Sequence, residues 1–338
     1  MLQEAMLYTK RDDQKVECHL CAHRCVISPE RRGVCQVREN RAGTLYSLVY
    51  NRIVSRAVDP VEKKPLYHFY PGTTAYSVAT VGCNFRCAFC QNYEISQMPR
   101  DQGRILGQEI PPKDIVAGAR HYGCKSIAYT YTEPTVAYEF TYECSKLAHE
   151  AGIKNIYVTN GYMTHEMLEQ YHPYLDAANV DLKAFTEEFY HKTCGAHLQP
   201  VLDSLKLMKR YGIWVEVTTL VIPTLNDSDA ELRDIAGFIA QELGPGTPWH
   251  VSRFHPTYRL LDKPVTPVDT LDRAREIGLE AGLRYVYEGN VPGHGGEDTI
   301  CYKCGETVIR RWGFSVLEKR IVDGRCAKCG APLDGVGL

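Results

Sequence analysis

Apolar positions follow two different periods along the middle of the chain. Short runs rich in β-branched and aromatic residues predict six strands, at Ala75–Thr80, Ser126–Thr130, Asn155–Thr159, Ala178–Leu182, Trp214–Val221 and Trp249–Phe254. Between them the apolar period lengthens to that of a helix. Pro134 suits a first helical position, and Phe140, Cys144, Leu147 and Ala151 make a stripe that stops at Gly152. Ser228-x-x-Glu231 predicts a capping box, followed at helical spacing by Leu232, Ile235, Ala236, Ile239 and Leu243. Leu271, Ala274, Ile277 and Ala281 mark a later helix. Strands alternating with helices imply βα units and a parallel sheet. Six such units predict an α/β fold, a partial (β/α)6 TIM-like barrel over residues 72–290.

The flanks read differently. Residues 1–71 form a cysteine-rich segment and linker, with Gly43 as a turn before one or two strands over Leu45–Val54. Asp59–Gly72 carries Pro60, Pro65 and Pro71, which argue against a continuous helix; Lys63 and Lys64 within it are expected to be solvated charges. After a polar, flexible connection at Gly293–Asp298, residues 291–338 carry two matched cysteine pairs.

Composition narrows the class. The length of 338 residues accommodates one large domain with smaller attachments, and 44% apolar residues is ordinary for a globular protein. A net charge of −2, from 39 basic and 41 acidic residues, gives no argument for a nucleic-acid or anionic-membrane partner. No apolar run reaches the ~18 residues of a membrane span, and Met1-Leu2-Gln3-Glu4 does not open like a signal peptide, so a cytoplasmic protein is expected. Eleven of the 14 cysteines cluster in three groups, which without an export signal favours metal binding over disulfides. Cys124, Cys144 and Cys194 stand alone and are expected to be buried thiols without a role.

The central group, Cys83-Asn84-Phe85-Arg86-Cys87-Ala88-Phe89-Cys90, has the spacing C-x3-C-x2-C directly after the first predicted strand. Three thiolates hold three irons of a [4Fe–4S] cluster, whereas an electron-transfer cluster normally takes four cysteines. The fourth iron is then open to another ligand. A zinc knuckle or a set of buried thiols is the plainer alternative. The stretch resembles the signature of radical S-adenosylmethionine (SAM) enzymes, including the aromatic Phe89 before the last cysteine. That resemblance implies that the open iron chelates the amino and carboxylate groups of SAM, and that reductive cleavage yields a 5′-deoxyadenosyl radical that abstracts hydrogen. The Asp59–Gly72 stretch and both cysteine-rich flanks further resemble the radical SAM member of the AmmeMemoRadiSam system, a pyruvate formate-lyase activating enzyme-like group.

In such barrels, chemistry gathers where strands end. Tyr131-Thr132-Glu133-Pro134-Thr135 follows the second strand, where the family commonly carries Gly-Gly-Glu. The acid is kept while Tyr131 and Thr132 replace the glycines, similar to a Tyr-Asn-Glu-Pro-Thr variant. The resemblance implies contact with the SAM amino group; a plainer reading has Glu133 serving the next helix start. Asn160 precedes Gly161 after the third strand, and the resemblance adds a ribose-side contact. Asp181 and Lys183 share a face at the end of the fourth strand, where an unpartnered inward charge pair is costly. Asp-x-Lys resembles the activating-enzyme motif, with Lys183 towards the SAM carboxylate; an exposed ion pair is the alternative. Glu216 and Thr218 share a face of the fifth strand, and His255 after the sixth is similar in position to a SAM-contacting histidine. The tyrosines, Tyr129 and Tyr131 among them, are expected to pack rather than relay radicals.

Cys301, Cys304, Cys326 and Cys329, spaced C-x2-C-x21-C-x2-C with glycine after each pair, predict a zinc ribbon, with iron as competitor. His294 lies close by, but four cysteines already close such a site. Cys18, Cys21, Cys25 and Cys35 offer a second metal or Fe–S set, or a group of redox-inert thiols. The expected activity is therefore SAM cleavage fed by an external one-electron reductant, with a protein or peptide as the hydrogen donor. Cleavage of a different sulfonium bond and a non-catalytic metal scaffold or electron carrier are the alternatives.

Overall fold

The computed structural model describes residues 2–338. An eight-stranded sheet organises the chain. Its strands lie in the order Val286–Gly289, Trp249–Arg253, Trp214–Val221, Ala177–Asp181, Lys154–Thr159, Ser126–Tyr129, Thr74–Ala79, Ser55–Pro60. Seven run parallel, and only Ser55–Pro60 is antiparallel to its neighbour. Six helices make the crossovers between the parallel strands: Pro112–His121, Tyr138–Glu150, His165–Tyr171, Gln199–Arg210, Asp229–Phe238 and Val268–Glu280. Each crossover returns the chain in the same direction, so all seven parallel strands end on one side.

The six predicted strands lie within one residue of those observed. Two strands of this sheet escaped prediction. Val286–Gly289 is short and carries a glutamate and a glycine; Ser55–Pro60 is an edge strand with outward-facing Arg56 and Val58. The second of these draws part of the expected linker into the sheet. The predicted capping box is half formed. Ser228 Oγ accepts the Glu231 N–H at 3.3 Å, but the Glu231 carboxylate accepts from Phe185 N at 2.7 Å instead of returning to its own cap.

The expectation that both lysines of the linker are solvated is wrong for Lys64. Lys63 is half-exposed, whereas the Lys64 side chain is 1% exposed and its ammonium lies 2.7 Å from Asp59. Ser77 and Tyr131 also donate to Asp59, and the Lys64 ammonium stands 4.4 Å from the Tyr131 ring centre. Burial pushes Lys64 down to about 8, against the pull of Asp59. Burial alone would raise the Asp59 pKa, but hydrogen bonds led by that from Lys64 hold it well below the usual carboxylate range. This network fastens the edge strand beneath the sheet's working end.

The two flanks pack on the sheet. Small sheets of residues 3–47 cover one side. The C-terminal hairpin, Thr307–Trp312 with Ser315–Lys319, is tied down by Arg311, which donates to Tyr67 O at 2.8 Å and Thr299 Oγ1 at 2.7 Å. The expected flexible connection before it is ordered: Glu297 is buried and Asp298 accepts from Arg311 N at 2.7 Å. Among the described residues no helix is long and apolar enough to cross a membrane.

Candidate active site at the strand ends

A cleft of about 900 Å³ opens at the C-terminal ends of the parallel strands. All ten residues singled out for cluster and SAM line it. Cys83, Phe89, Cys87 and Cys90 come from the loop after Thr74–Ala79. Thr132 and Glu133, Asn160, and the pair Asp181 and Lys183 come from the next three strand ends. His255 lies exposed on its rim.

The cysteine loop is irregular, so its backbone groups need partners from elsewhere. Arg86 N donates to Cys194 O at 2.8 Å and Ala88 N to Thr193 O at 3.0 Å. Gln97 Nε2 donates to Phe85 O at 3.1 Å, and His23 Nε2 lies 2.8 Å from Asn84 O. Gly82 opens the loop at φ +104, and a Cβ there would stand 2.6 Å from Val37. Only glycine lets the N-terminal segment approach so closely. The loop is thereby held rigid from both sides before any cofactor arrives.

The three thiols do not all lie within 4.8 Å of one another, in contrast to the C-terminal four. That spacing disfavours a single zinc ion and suits thiolates that grip different irons of one cluster. Phe85 N donates to Cys83 Sγ at 3.3 Å, and Cys90 Sγ lies 3.0 Å from Ser96 Oγ. Sequence reasoning missed Cys194, whose backbone carbonyl accepts from Arg86 N although 108 positions separate them. Nothing local signals that contact. Cys124 and Cys144 lie outside the cleft lining.

Glu133 is buried and joins two strand ends. Its Oε1 accepts from Thr135 N at 3.0 Å, Thr135 Oγ1 at 2.6 Å and Thr159 Oγ1 at 2.8 Å, and its Oε2 accepts from Asn160 N at 2.9 Å. Burial pushes its carboxyl up, and these donors oppose the shift. The helix-start role is thus real, yet Oε2 retains a lone pair. Tyr131, just before, sits at φ +67, a conformation uncommon outside glycine and concentrated at functional sites. Thr132 Oγ1 donates to Thr80 O at 2.8 Å.

Asn160 is committed to the cysteine loop. Its Nδ2 donates to Asn84 Oδ1 at 2.7 Å and its Oδ1 accepts from Tyr162 N at 3.1 Å. Lys183 Nζ pairs with Asp181 Oδ2 at 2.9 Å and lies 5.7 Å from the Phe89 ring centre, so the two motifs meet. Burial works to lower the Lys183 pKa, but Asp181 overrides it and the ammonium stays charged. Glu216, by contrast, is fully enclosed below the cleft. It accepts from Tyr67 N, His68 N and Trp214 Nε1 at 2.8–3.0 Å and lies 2.7 Å from His250 Nε2. Its role is structural.

The C-terminal sulfurs do converge. Cys301 and Cys329 are 3.7 Å apart, as are Cys304 and Cys326, and all four lie within 4.8 Å. Thiolates bound tetrahedrally at about 2.3 Å are separated by about 3.8 Å, so the donor set fits one metal ion. Cys25 Sγ accepts from Val34 N at 3.5 Å, and Cys18, Cys21, Cys25 and Cys35 do not gather as tightly as the C-terminal four.

Residues 77–236 match the family model described as the Radical SAM superfamily. The chain is 49% identical over 335 residues to an uncharacterized protein of Methanocaldococcus jannaschii, covering 98% of this chain and 99% of that one. It is 25% identical over 214 residues to the pyruvate formate-lyase-activating enzyme of Clostridium pasteurianum, covering 61% and 89%. Among solved structures, Streptococcus suis SuiB bound to S-adenosylmethionine is similar in fold, with a TM-score of 0.51 at 14% identity over 68% of this chain and 53% of that one. With three thiols set at a strand end above a parallel sheet, residues 77–236 form a radical SAM domain, in a chain similar to activating enzymes.

Proposed function

We propose that Cys83, Cys87 and Cys90 hold the family's [4Fe–4S] cluster, and that the neighbouring strand ends form the SAM pocket. The observation that carries this reading is the convergence of ten side chains from five strand-end segments on one cleft. The cluster, when bound, would pass one electron from an external reductant to SAM, breaking its C5′–S bond to release methionine and a 5′-deoxyadenosyl radical that abstracts hydrogen. The protein's part is to bind, orient and exclude water. Lys183, charged and fixed by Asp181, takes the SAM carboxylate; the free lone pair of Glu133 Oε2 takes the amino group. Asn160 shapes the cysteine loop, and Phe89 and Thr132 fill the wall. His255 closes the pocket from the rim. Lys183→Met is expected to weaken SAM binding by about 10- to 100-fold, the size of a lost charge-assisted hydrogen bond, with iron content unchanged. Equilibrium dialysis with labelled SAM checks this; unaltered affinity would remove Lys183 from the pocket.

The hydrogen donor is proposed to be a protein or peptide. The cleft is at the upper end of the range for small-molecule sites. Its rim includes half-exposed Phe314, next to Trp312 and Leu317 at 61% exposure each on the same hairpin. Such a cluster of exposed large apolar side chains commonly marks an interaction surface. A relative named for activating another enzyme agrees with it. Deuterium should therefore pass into 5′-deoxyadenosine from a uniformly deuterated protein extract; transfer from its small-molecule fraction alone would sink the idea. A partial barrel closed by the N-terminal segment (1–71) and a zinc-ribbon tail (291–338) is the proposed organisation around residues 72–290, in a cytoplasmic setting that keeps thiols reduced. The tail binds zinc through Cys301, Cys304, Cys326 and Cys329. Cys18, Cys21, Cys25 and Cys35, being more widely spread, suit a second Fe–S cluster.

A further inference from the structure

A second set of metal-type donors lies outside the cysteine groups, where helix Val268–Glu280 meets the end of strand Val286–Gly289 and the loop of residues 290–297. Asp272, Glu288 and His294 each bring one donor atom into a cluster in which all lie within 4.8 Å. His294 Nε2 is 2.9 Å from Asp272 Oδ1 and 3.7 Å from Glu288 Oε2. For bonds of about 2.1 Å, neighbouring ligands stand about 3.0 Å apart in an octahedral shell and about 3.4 Å in a tetrahedral one, between these two values.

Glu288 carries the argument beyond mere proximity. It is 4% exposed, and its Oε2 has no hydrogen-bond partner. A buried carboxylate oxygen without a donor is costly and rare. The nearest alternative cation, Arg275, has its Nε 3.8 Å from the other oxygen and gives its N–H to Val286 O at 3.2 Å. The loop closes over the carboxylate, because Glu288 N donates to Gly296 O at 3.1 Å, and a Cβ on Gly296 would lie 2.5 Å from Oε2.

We propose that Asp272, Glu288 and His294 bind a divalent first-row transition ion, of the class that accepts mixed imidazole and carboxylate donors. The ion clamps the loop of residues 290–297 to the helix. That loop supplies Asn290, Val291 and Pro292 to the cleft wall, and the Trp312 ring rests against Gly293. The clamp therefore sets the wall on which the apolar hairpin sits. It is independent of the cluster and of the four-cysteine tail site.

Full-length, cluster-reconstituted protein is dialysed against micromolar zinc, and metals are counted by mass spectrometry beside thermal melting. Wild type is expected to hold one zinc more than the D272N/H294Q double variant, which keeps its cluster iron and its tail metal. Zinc should raise the melting temperature of wild type more than that of the double variant, in which the tail site alone still takes the ion. Cobalt distinguishes the sites, since cysteine-bound cobalt gives intense thiolate absorption and the histidine–carboxylate set gives none. E288Q, nearly isosteric, serves if the double variant folds poorly, and it too should lose one zinc. Equal zinc counts in wild type and both variants would overturn the proposal, leaving His294 as a hydrogen-bonded bridge between two carboxylates.

Discussion

The Cys83→Ala, Cys87→Ala, Cys90→Ala triple variant is expected to release no 5′-deoxyadenosine above the protein-free background. It should also lose four irons per chain while keeping the metal of the C-terminal cysteines. The fold should survive this change. The loop is held by Cys194, Thr193, Gln97 and His23 through its backbone, and none of those hydrogen bonds uses a thiol of the motif. The variant therefore separates chemistry from structure. Iron analysis, melting and nucleoside chromatography on the same sample make the comparison. Retained 5′-deoxyadenosine formation would mean that another cysteine group carries the reactive cluster, the N-terminal four being the obvious substitute.

The largest effect on stability is expected at Glu216. Its carboxylate is wholly buried and gathers donors from Tyr67, His68, Trp214 and His250. Glu216→Ala leaves these groups buried without an acceptor and is expected to destabilise the protein by about 3–5 kcal/mol, since each buried unsatisfied donor costs about 1–3 kcal/mol and the site relaxes in part. Glu216→Gln keeps the shape but loses the charge and should fall between. The carboxylate also has a pH signature. Burial would raise its pKa, but the hydrogen bond and charge of His250 prevail and the value is lowered. A depressed carboxylate stabilises above its unfolded pKa, and that contribution is lost as pH falls through the folded value. Wild type should therefore lose stability on acidification more steeply than Glu216→Gln. Denaturant titrations across the acid range check this, and parallel curves would show that Glu216 does not titrate with folding.

These two sites also mark what the sequence makes legible. The cysteine spacing and the strand-end positions are local patterns, and the ten residues they single out all line one cleft. Alternation placed Glu216 and Thr218 on one face but could not say that the first is sealed below the cleft while the second lines it. Lys64 shows the limit most plainly. A lysine in a polar, proline-bounded stretch reads as solvated, and only folding brings Asp59, Ser77 and Tyr131 around it. The one hint was an acid four and five positions before a lysine pair. Cys194 and His23 reach the cysteine loop from 108 and 61 positions away, at Arg86 and Asn84, without any local signal. Strand Val286–Gly289 was hidden because Glu288 and Gly289 break its apolar run, and that same glutamate belongs to the proposed metal clamp.

The most direct test of the central claim is anaerobic. Protein reconstituted with iron and sulfide is given SAM and dithionite, and the nucleoside products are quantified. The expected product is 5′-deoxyadenosine, formed only when the assembled cluster, SAM and reductant are present together. A fully assembled cluster that yields methylthioadenosine instead, or no product at all, would contradict that claim.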